Sequence, residues 1–425
     1  MIQAAAKPIS VQAGRAVPFW LPASHFVCGL GFLCAATLLL STVVSDLVDG
    51  RFLMTRVAGV VHLITLGWLT LSIMGALCQL FPVALGTSLY SVKLALATLV
   101  LFVPGVALFV AGLLTSGNAL VLTGAATFVL GLLIFVYNAY RTLFRSKTRD
   151  LTWWTLAGAF GFLIATIAFG ASLAINLKTM HLGSERLMAL AVHIHVAVAG
   201  WVGLVIMAVG RRLLPMFLLS HAKHERALQL AIVATASGAA TLSLLHGWMN
   251  ARIFTVGALL ILVGAISFAV QIGTYLRARH RPQLDAGLRL VVGGAAFVIV
   301  AALLGTFLLL TPGNHSVLTT AYGVALLGGL MLFVAGHYYK ILPFLLWNSR
   351  FAPLAGKRPL PKIAELYNAR VANTAAALSL IGLAMLFAGV LVAEHWLAFT
   401  GAVALAGGAA IEATQLIQLL RTKVV

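Results

Sequence analysis

The sequence predicts an all-α polytopic membrane protein of about twelve transmembrane helices, and three observations carry that prediction. Of its 425 residues, 62% are hydrophobic and 9% are charged, with a mean hydropathy of +1.06. A soluble globular chain is roughly 45–50% apolar and about 25% charged. This chain has too few charges to cover a water-facing surface, which excludes a soluble enzyme. Apolar runs longer than ~18 residues recur from end to end, each long enough to cross ~30 Å of hydrocarbon as a helix. The period-2 alternation of a membrane barrel is absent, and Leu/Ala/Gly-rich helices are the alternative that satisfies every backbone polar group in lipid.

The spans follow in order. The first, about 20–45, comes after the polar stretch Met1–Ala16, which lacks the features of a cleaved signal peptide, and is long enough to stay in the membrane. The second, about 57–83, reads VVHLITLGWLTLSIMGALCQLFP and ends at Pro82. Spans three and four, about 90–113 and 118–143, lead into Arg141, Arg145, Lys147 and Arg149. Spans five and six, about 153–176 and 187–216, bring the stretch HIHVAVAGWVGLVIMAVGRRLLP. Spans seven, eight and nine lie at about 226–247, 253–276 and 287–311, and span ten, about 316–346, closes on GHYYKILP. The loop Asn348–Asn368 carries prolines, Arg350, Lys357, Arg358 and Lys362, and is expected to be ordered at the membrane surface. Spans eleven and twelve, about 370–392 and 396–420, complete the chain as a single transmembrane domain over 1–425.

The net charge of +19 does not indicate nucleic acid, because no basic run is interleaved with aromatics; the basic residues sit in short loops between apolar segments. Read as topology signals, they predict that both termini are cytoplasmic. All of the 28 Lys and Arg then fall on that side except Arg51, Arg56, Lys178, Arg186 and Arg252. The expected location is a bacterial inner membrane. Cys28, Cys34 and Cys78 lie inside apolar segments without CxxC spacing and read as small core residues.

An internal repeat is visible. His62, Gly67, Trp68 and Pro82 recur at identical offsets as His195, Gly200, Trp201 and Pro215. Counting back twenty from Pro343 in span ten lands on Gly323, so a third copy lacks the His. Spans two, six and ten are four helices apart, which predicts three pseudo-repeated four-helix arcs, about 17–145, 150–280 and 285–425.

Histidines carry the chemistry. An imidazole in hydrocarbon has a donor and an acceptor to satisfy, so it needs partners. His62, His193, His195, His246 and His315 fall toward the outer ends of their spans. His62 and His195 stand at matched depth, 20 residues or ~30 Å above their prolines. Two imidazoles at equal depth on different helices suit the two axial positions of one haem, with Gly59, Gly67, Gly200 and Gly203 giving clearance for its face. His193 and His195 are separated by about 200° around an α-helix and so serve two adjacent pockets. Glu412, in GGAAIEATQL, is the one carboxylate well inside a span and a functional candidate on that ground. His337, beside Tyr338, Tyr339 and Lys340, marks the inner end of span ten as an interface, a quinone site or an inner haem site, with His25 similarly placed on span one.

These features resemble the haem–copper oxidase superfamily, that is cytochrome oxidase subunit I and the related NnrS-type haem–copper membrane proteins. The shared elements are twelve spans in three arcs, a His on span two, and an H-x-H helix reading AVHIHVAVAGWVGLVIMAVG. The resemblance implies a low-spin haem b held by His62 and His195, with His193 facing a second haem or metal pocket. Aligning span ten directly would instead make His315 the partner of His62. In the oxidases the H-x-H pair belongs to helix ten, whereas here it is on span six, and the adjacent His-His pair of their copper site is absent. Copper would require His193, His246 and His315 to converge. The expected function is electron transfer or handling of a diatomic gas such as nitric oxide by an iron-containing protein with one or two haem b groups. A cytochrome c or a quinone would be its redox partner, membrane lipid its surroundings, and a homo-oligomer is compatible. The alternatives are a divergent terminal oxidase or nitric oxide reductase subunit, and a secondary transporter.

Overall fold

The computed structural model describes residues 17–222, 224–245, 250–280, 283–311, 313–357 and 359–421. His246 lies outside them, as do Met1–Ala16 and the basic residues Lys223, Arg281, Arg358 and Lys423. Twelve helices among the described residues are long and apolar enough to span a membrane. They are α1 (Trp20–Val48), α2 (Thr55–Pro82), α3 (Val92–Thr115), α4 (Asn118–Leu143), α5 (Leu151–Thr179) and α6 (Gly183–Leu218). The second half of the chain provides α7 (Arg226–Leu244), α8 (Ala251–Arg277), α9 (Ala286–Leu310), α10 (Ser316–Leu354), α11 (Ala369–Leu391) and α12 (His395–Arg421). No strand is formed among the described residues beyond an isolated bridge between Ser220 and Arg279.

Polar side chains mark where the helices begin. Ser91, Asp150, Asn250, Asp285 and Asn368 each accept a backbone N–H from the first turn of the helix that follows, satisfying donors that have no intrahelical partner. All but Asn250 lie at the end of the bundle that collects most of the Lys and Arg, called here the basic end; the opposite face is the sparse end. Two of the caps also bear charge partners at the basic end: Asp150 pairs with Arg211 and Arg212, and Asp285 with Lys340.

Consecutive helices pack side by side, and α1 also contacts α12, so the series closes on itself. Small residues let the neighbours approach closely, as expected where lipid tails offer helices no hydrophobic drive to associate. In the α3–α4 hairpin a Cβ on Gly105 would lie 2.5 Å from the backbone nitrogen of Phe128. In the α9–α10 hairpin Gly294 and Gly329 face each other's carbonyls at comparable distance. The helices that carry the repeated motif, α2, α6 and α10, are the most enclosed of the twelve. They also meet one another: α2 contacts both α6 and α10, and α6 reaches α10 through His195 with Tyr322 and Phe217 with His337.

The repeated letters correspond to repeated geometry. α2 is α-helical up to His62 and then π-helical over Leu63–Thr70; α6 is α-helical up to His195 and then π-helical over Val196–Gly203. Trp201 donates its indole N–H to the hydroxyl of Thr70 in α2 at 3.3 Å, and Trp68 donates to the carbonyl of Met331 in α10 at 3.2 Å. Thr70 stands twelve residues before Pro82 and Met331 twelve before Pro343, so the two indoles find acceptors at the same register position of a neighbouring motif helix.

α10 runs on through a π turn, Trp347–Phe351, into the basic loop. That loop is tied down by the Trp347 indole donating to the Pro361 carbonyl at 2.9 Å and by Arg350 donating to the carbonyl of Leu420 at 3.1 Å.

Candidate functional site

Four histidines inside membrane helices adopt one arrangement. Nδ1 lies 2.8 Å from the Leu21 carbonyl in His25, 2.7 Å from Ala58 in His62, 2.7 Å from Ala191 in His195 and 2.8 Å from Phe333 in His337. A carbonyl oxygen can only accept, so each Nδ1 carries the hydrogen and each Nε2 of the neutral ring carries a lone pair. The helix turn below therefore fixes both the tautomer and the ring orientation. No hydrogen bond reaches Nε2 of His25, His62 or His337 among the described residues, and the Tyr322 hydroxyl approaches Nε2 of His195 to 3.5 Å.

His193 differs from the four. Its Nδ1 is buried without a hydrogen-bond partner, and its ring faces the backbone of Thr166 and lies over Gly170 of α5, where a Cβ would come within 2.9 Å of Cε1. The H-x-H pair points in two directions, as two residues of helix require. His193 turns toward α5 and comes within electrostatic reach of His62, whose ring packs edge-on against Phe109 at 5.1 Å. His195 turns instead toward α8 and α10, with Phe254 edge-on at 5.5 Å and Tyr322 stacked at 6.5 Å. The side chains of His62, His193, His195, Tyr322 and His337 are only half-buried although they lie deep in the bundle, so they border space within it.

Two levels result. His62, His193, His195 and Tyr322 form the level nearer the sparse end. His25 stands beside Gly75 of α2, thirteen residues past His62, and His337 is fifteen residues past Tyr322. At ~1.5 Å per residue both lie about 20 Å closer to the basic end. There they face different helices: His25 looks into a small cavity with Met74, Cys78, Phe81 and Asn138, and His337 packs against Phe217 of α6. They therefore do not face each other as a pair.

His315 immediately precedes α10, seven residues or about 10 Å beyond Tyr322, with its Nε2 buried and unpartnered and Phe307 at 6.0 Å. Among the described residues no three His, Cys, Asp or Glu side chains come together as a metal ion would require. Two of the glycines expected to clear a haem face are occupied otherwise. A Cβ on Gly67 would fall 2.6 Å from Cγ of Phe32, and one on Gly200 would fall 2.8 Å from Cγ of Phe162. These glycines admit phenyl rings from the preceding helix.

Glu412 is 2% exposed, and its Oε1 has no hydrogen-bond partner. Nearby, Tyr338 shares a 2.6 Å hydrogen bond with Ser72, whose hydroxyl donates to the Trp68 carbonyl. Sequence reasoning had no signal for Tyr322, an isolated aromatic on an apolar helix, or for Ser72; both emerge only from three-dimensional neighbourhood. No protein-family model matches the chain, and no curated protein matches it.

Proposed function

We propose that the chain is a haem b-binding membrane protein, acting in one-electron transfer or in the binding of a diatomic gas such as nitric oxide. The observation that carries this reading is the set of anchored imidazoles. A ligating histidine characteristically donates its other ring N–H to a carbonyl or carboxylate, which sets the tautomer and raises the basicity of the ligating nitrogen. His25, His62, His195 and His337 meet that requirement by helix geometry alone, and the orphaned Nδ1 of His193 adds a further buried lone pair. Neutral nitrogen donors in an apolar bundle fit haem iron, and haem iron bound by them supplies one-electron redox chemistry and, where a position stays open, gas binding.

We assign His62 and His193 to one iron in place of the His62–His195 pair that matched depth suggests, because His193 lies in electrostatic reach of His62. His195 supplies a single imidazole to a second site, where the Tyr322 hydroxyl stands ready to hydrogen-bond a polar ligand. Phe109 and Phe254 pack edge-on against His62 and His195 and hold their orientation. The three-arc organisation and the cytoplasmic placement of the basic end belong to the same proposal, supported by the register-matched indole contacts and by the Lys/Arg bias. So does a bacterial inner-membrane location with cytochrome c or quinone as the donor.

The test is spectroscopic. The detergent-solubilised protein is expected to show a sharp reduced-minus-oxidised b-type band and a CO-difference signal. His62→Ala and His193→Ala should each abolish the low-spin band, while His195→Ala removes only the CO-binding species. A colourless protein after expression with haem supplied overturns the reading. Copper in metal analysis together with CO binding would move it to the oxidase class.

A further inference from the structure

Glu412 sits in the middle of a second polar feature, separate from the histidines. On the side of the bundle formed by the start of α11 and the last turns of α12, a groove of about 520 Å³ opens near the basic end, lined by Tyr367, Asn368, Ile411, Thr414, Gln415 and Gln418. Gln415 belongs both to this groove and to the interior. It is 7% exposed, its Nε2 donates to the Asn368 carbonyl at 2.8 Å, and its Oε1 has no partner. Glu412 lies one helical turn deeper on the same helix, which puts the two side chains within reach of each other.

A second connection passes through aromatics. Tyr367, at the groove, packs on Tyr339 with ring centroids 5.5 Å apart, and the buried Tyr339 hydroxyl has no hydrogen-bond partner. Tyr339 lies in electrostatic reach of Glu412. Three buried polar atoms thus lack partners between the groove and the carboxyl: Glu412 Oε1, Gln415 Oε1 and the Tyr339 hydroxyl. Buried polar groups are nearly always paired, and unmet ones in a roomy polar setting are the usual hosts of internal water.

Among the described residues no cation acts on Glu412. α1 presents Cys34, whose Sγ approaches the Ala409 carbonyl at 3.8 Å; α10 presents Tyr338 and Tyr339. The face of α11 toward α12 is built of Ala372, Ala375, Ala376, Ser379 and Gly382. An ionised carboxylate without a counter-ion in such a setting is strongly disfavoured, and it neutralises by taking up a proton. We propose that Glu412 is a proton-binding carboxyl of the membrane interior, exchanging its proton with water that enters through the α11–α12 groove by way of Gln415 and Tyr339. The step is a proton transfer from water-borne hydronium to a carboxylate oxygen and back, with no redox change. It stands independently of haem.

The test uses the whole protein in detergent or lipid. A hydrophobic carbodiimide, which couples to protonated carboxyls, is expected to modify Glu412, as read by mass spectrometry of peptides. Infrared spectra should show a protonated carboxylic-acid carbonyl band that shifts on transfer to D₂O and is lost in Glu412→Gln. Gln415→Leu and Tyr339→Phe should each slow that isotope shift about tenfold, the scale of losing one bridging hydrogen bond from the path. Absence of both adduct and band in the unmodified chain overturns the proposal. So does an isotope shift that proceeds in both variants at the rate of the parent.

Discussion

Replacing Trp201 with Phe tests whether the motif helices are locked to one another as the structure indicates. The indole is 2% exposed, packed against Phe135 and Phe160 with centroids 6.1 and 5.9 Å away, and its N–H reaches Thr70 Oγ1 at 3.3 Å. Two contributions are lost in Trp201→Phe. The hydrogen bond crosses between helices inside the membrane, where such bonds average about 0.6 kcal/mol, and its length keeps it from exceeding that. The second is packing. Truncating a buried Trp completely costs about 3–5 kcal/mol, and a Phe that keeps one ring should cost about a third of that. The sum is about 2 kcal/mol. Thr70→Val, which keeps the shape and removes the acceptor, should cost no more than about 0.6 kcal/mol, and the double variant should return that amount as coupling energy. Unfolding by SDS titration of the protein in mixed micelles, followed by circular dichroism, measures all three. A coupling energy of zero, or a Trp201→Phe variant as stable as the parent, would refute the inference that α2 and α6 are joined at this level.

Three further outcomes follow from the packing. Gly124→Leu should disrupt the α3–α4 hairpin, because a Cβ there would come within 2.7 Å of Phe109 Cα, whereas Gly158→Leu, which meets nothing within 4 Å, should be tolerated; detergent size-exclusion profiles decide this. Asp46→Asn should lower the thermal midpoint by several degrees. Its fully buried side chain takes hydrogen bonds on Oδ1 from Arg51 at 3.0 Å and Arg56 at 2.6 Å, with Oδ2 against the Arg56 guanidinium, so the amide removes the negative charge from both pairs and sets an NH₂ against Arg56. Arg211→Ala should expose the basic ends of α5, α6 and α7 to protease in oriented vesicles. Arg211 bridges Asp150 and Glu225 at 2.8 Å each, and its loss removes that partner from Glu225 and leaves Asp150 only the longer 3.4 Å contact with Arg212.

Span positions were legible because an apolar run long enough for a helix leaves little freedom about where it crosses. The expected span at about 90–113 is α3, Val92–Thr115, and that at about 226–247 is α7, Arg226–Leu244. The twin motif was legible too, since His, Gly, Trp and Pro at shared offsets needed only counting. The roles of its glycines were not. Gly67 and Gly200 read as clearance for a flat cofactor, and the rings that fill that clearance, Phe32 and Phe162, come from other helices, which spacing along one helix cannot reveal. The same limit hid that His193 is the member of the H-x-H pair within electrostatic reach of His62. Periodicity separates His193 from His195 by about 200° but sets no absolute direction, and the π-helical segments that follow each motif His alter the rotation further.

What makes the histidines chemically telling is the nitrogen the helix leaves over. Each of His25, His62, His195 and His337 spends one nitrogen on a carbonyl four residues back, a bond any helical histidine can make without tertiary help. Were packing the only demand, a leucine would fill the same volume without a polar nitrogen left to satisfy. The remaining Nε2 must therefore be answered by something beyond the helix backbone, and the possibilities are few: a side-chain donor, water or a metal. For His195 the structure offers Tyr322 at 3.5 Å, longer than a well-formed hydrogen bond. For His62 it offers no described donor, only the ring of Phe109 edge-on and His193 within electrostatic reach. A neutral His193 whose orphan is Nδ1 likewise presents a lone pair there rather than a proton. Two lone pairs cannot satisfy each other. An electron-pair acceptor would satisfy them, and that is the role the proposed haem iron would fill.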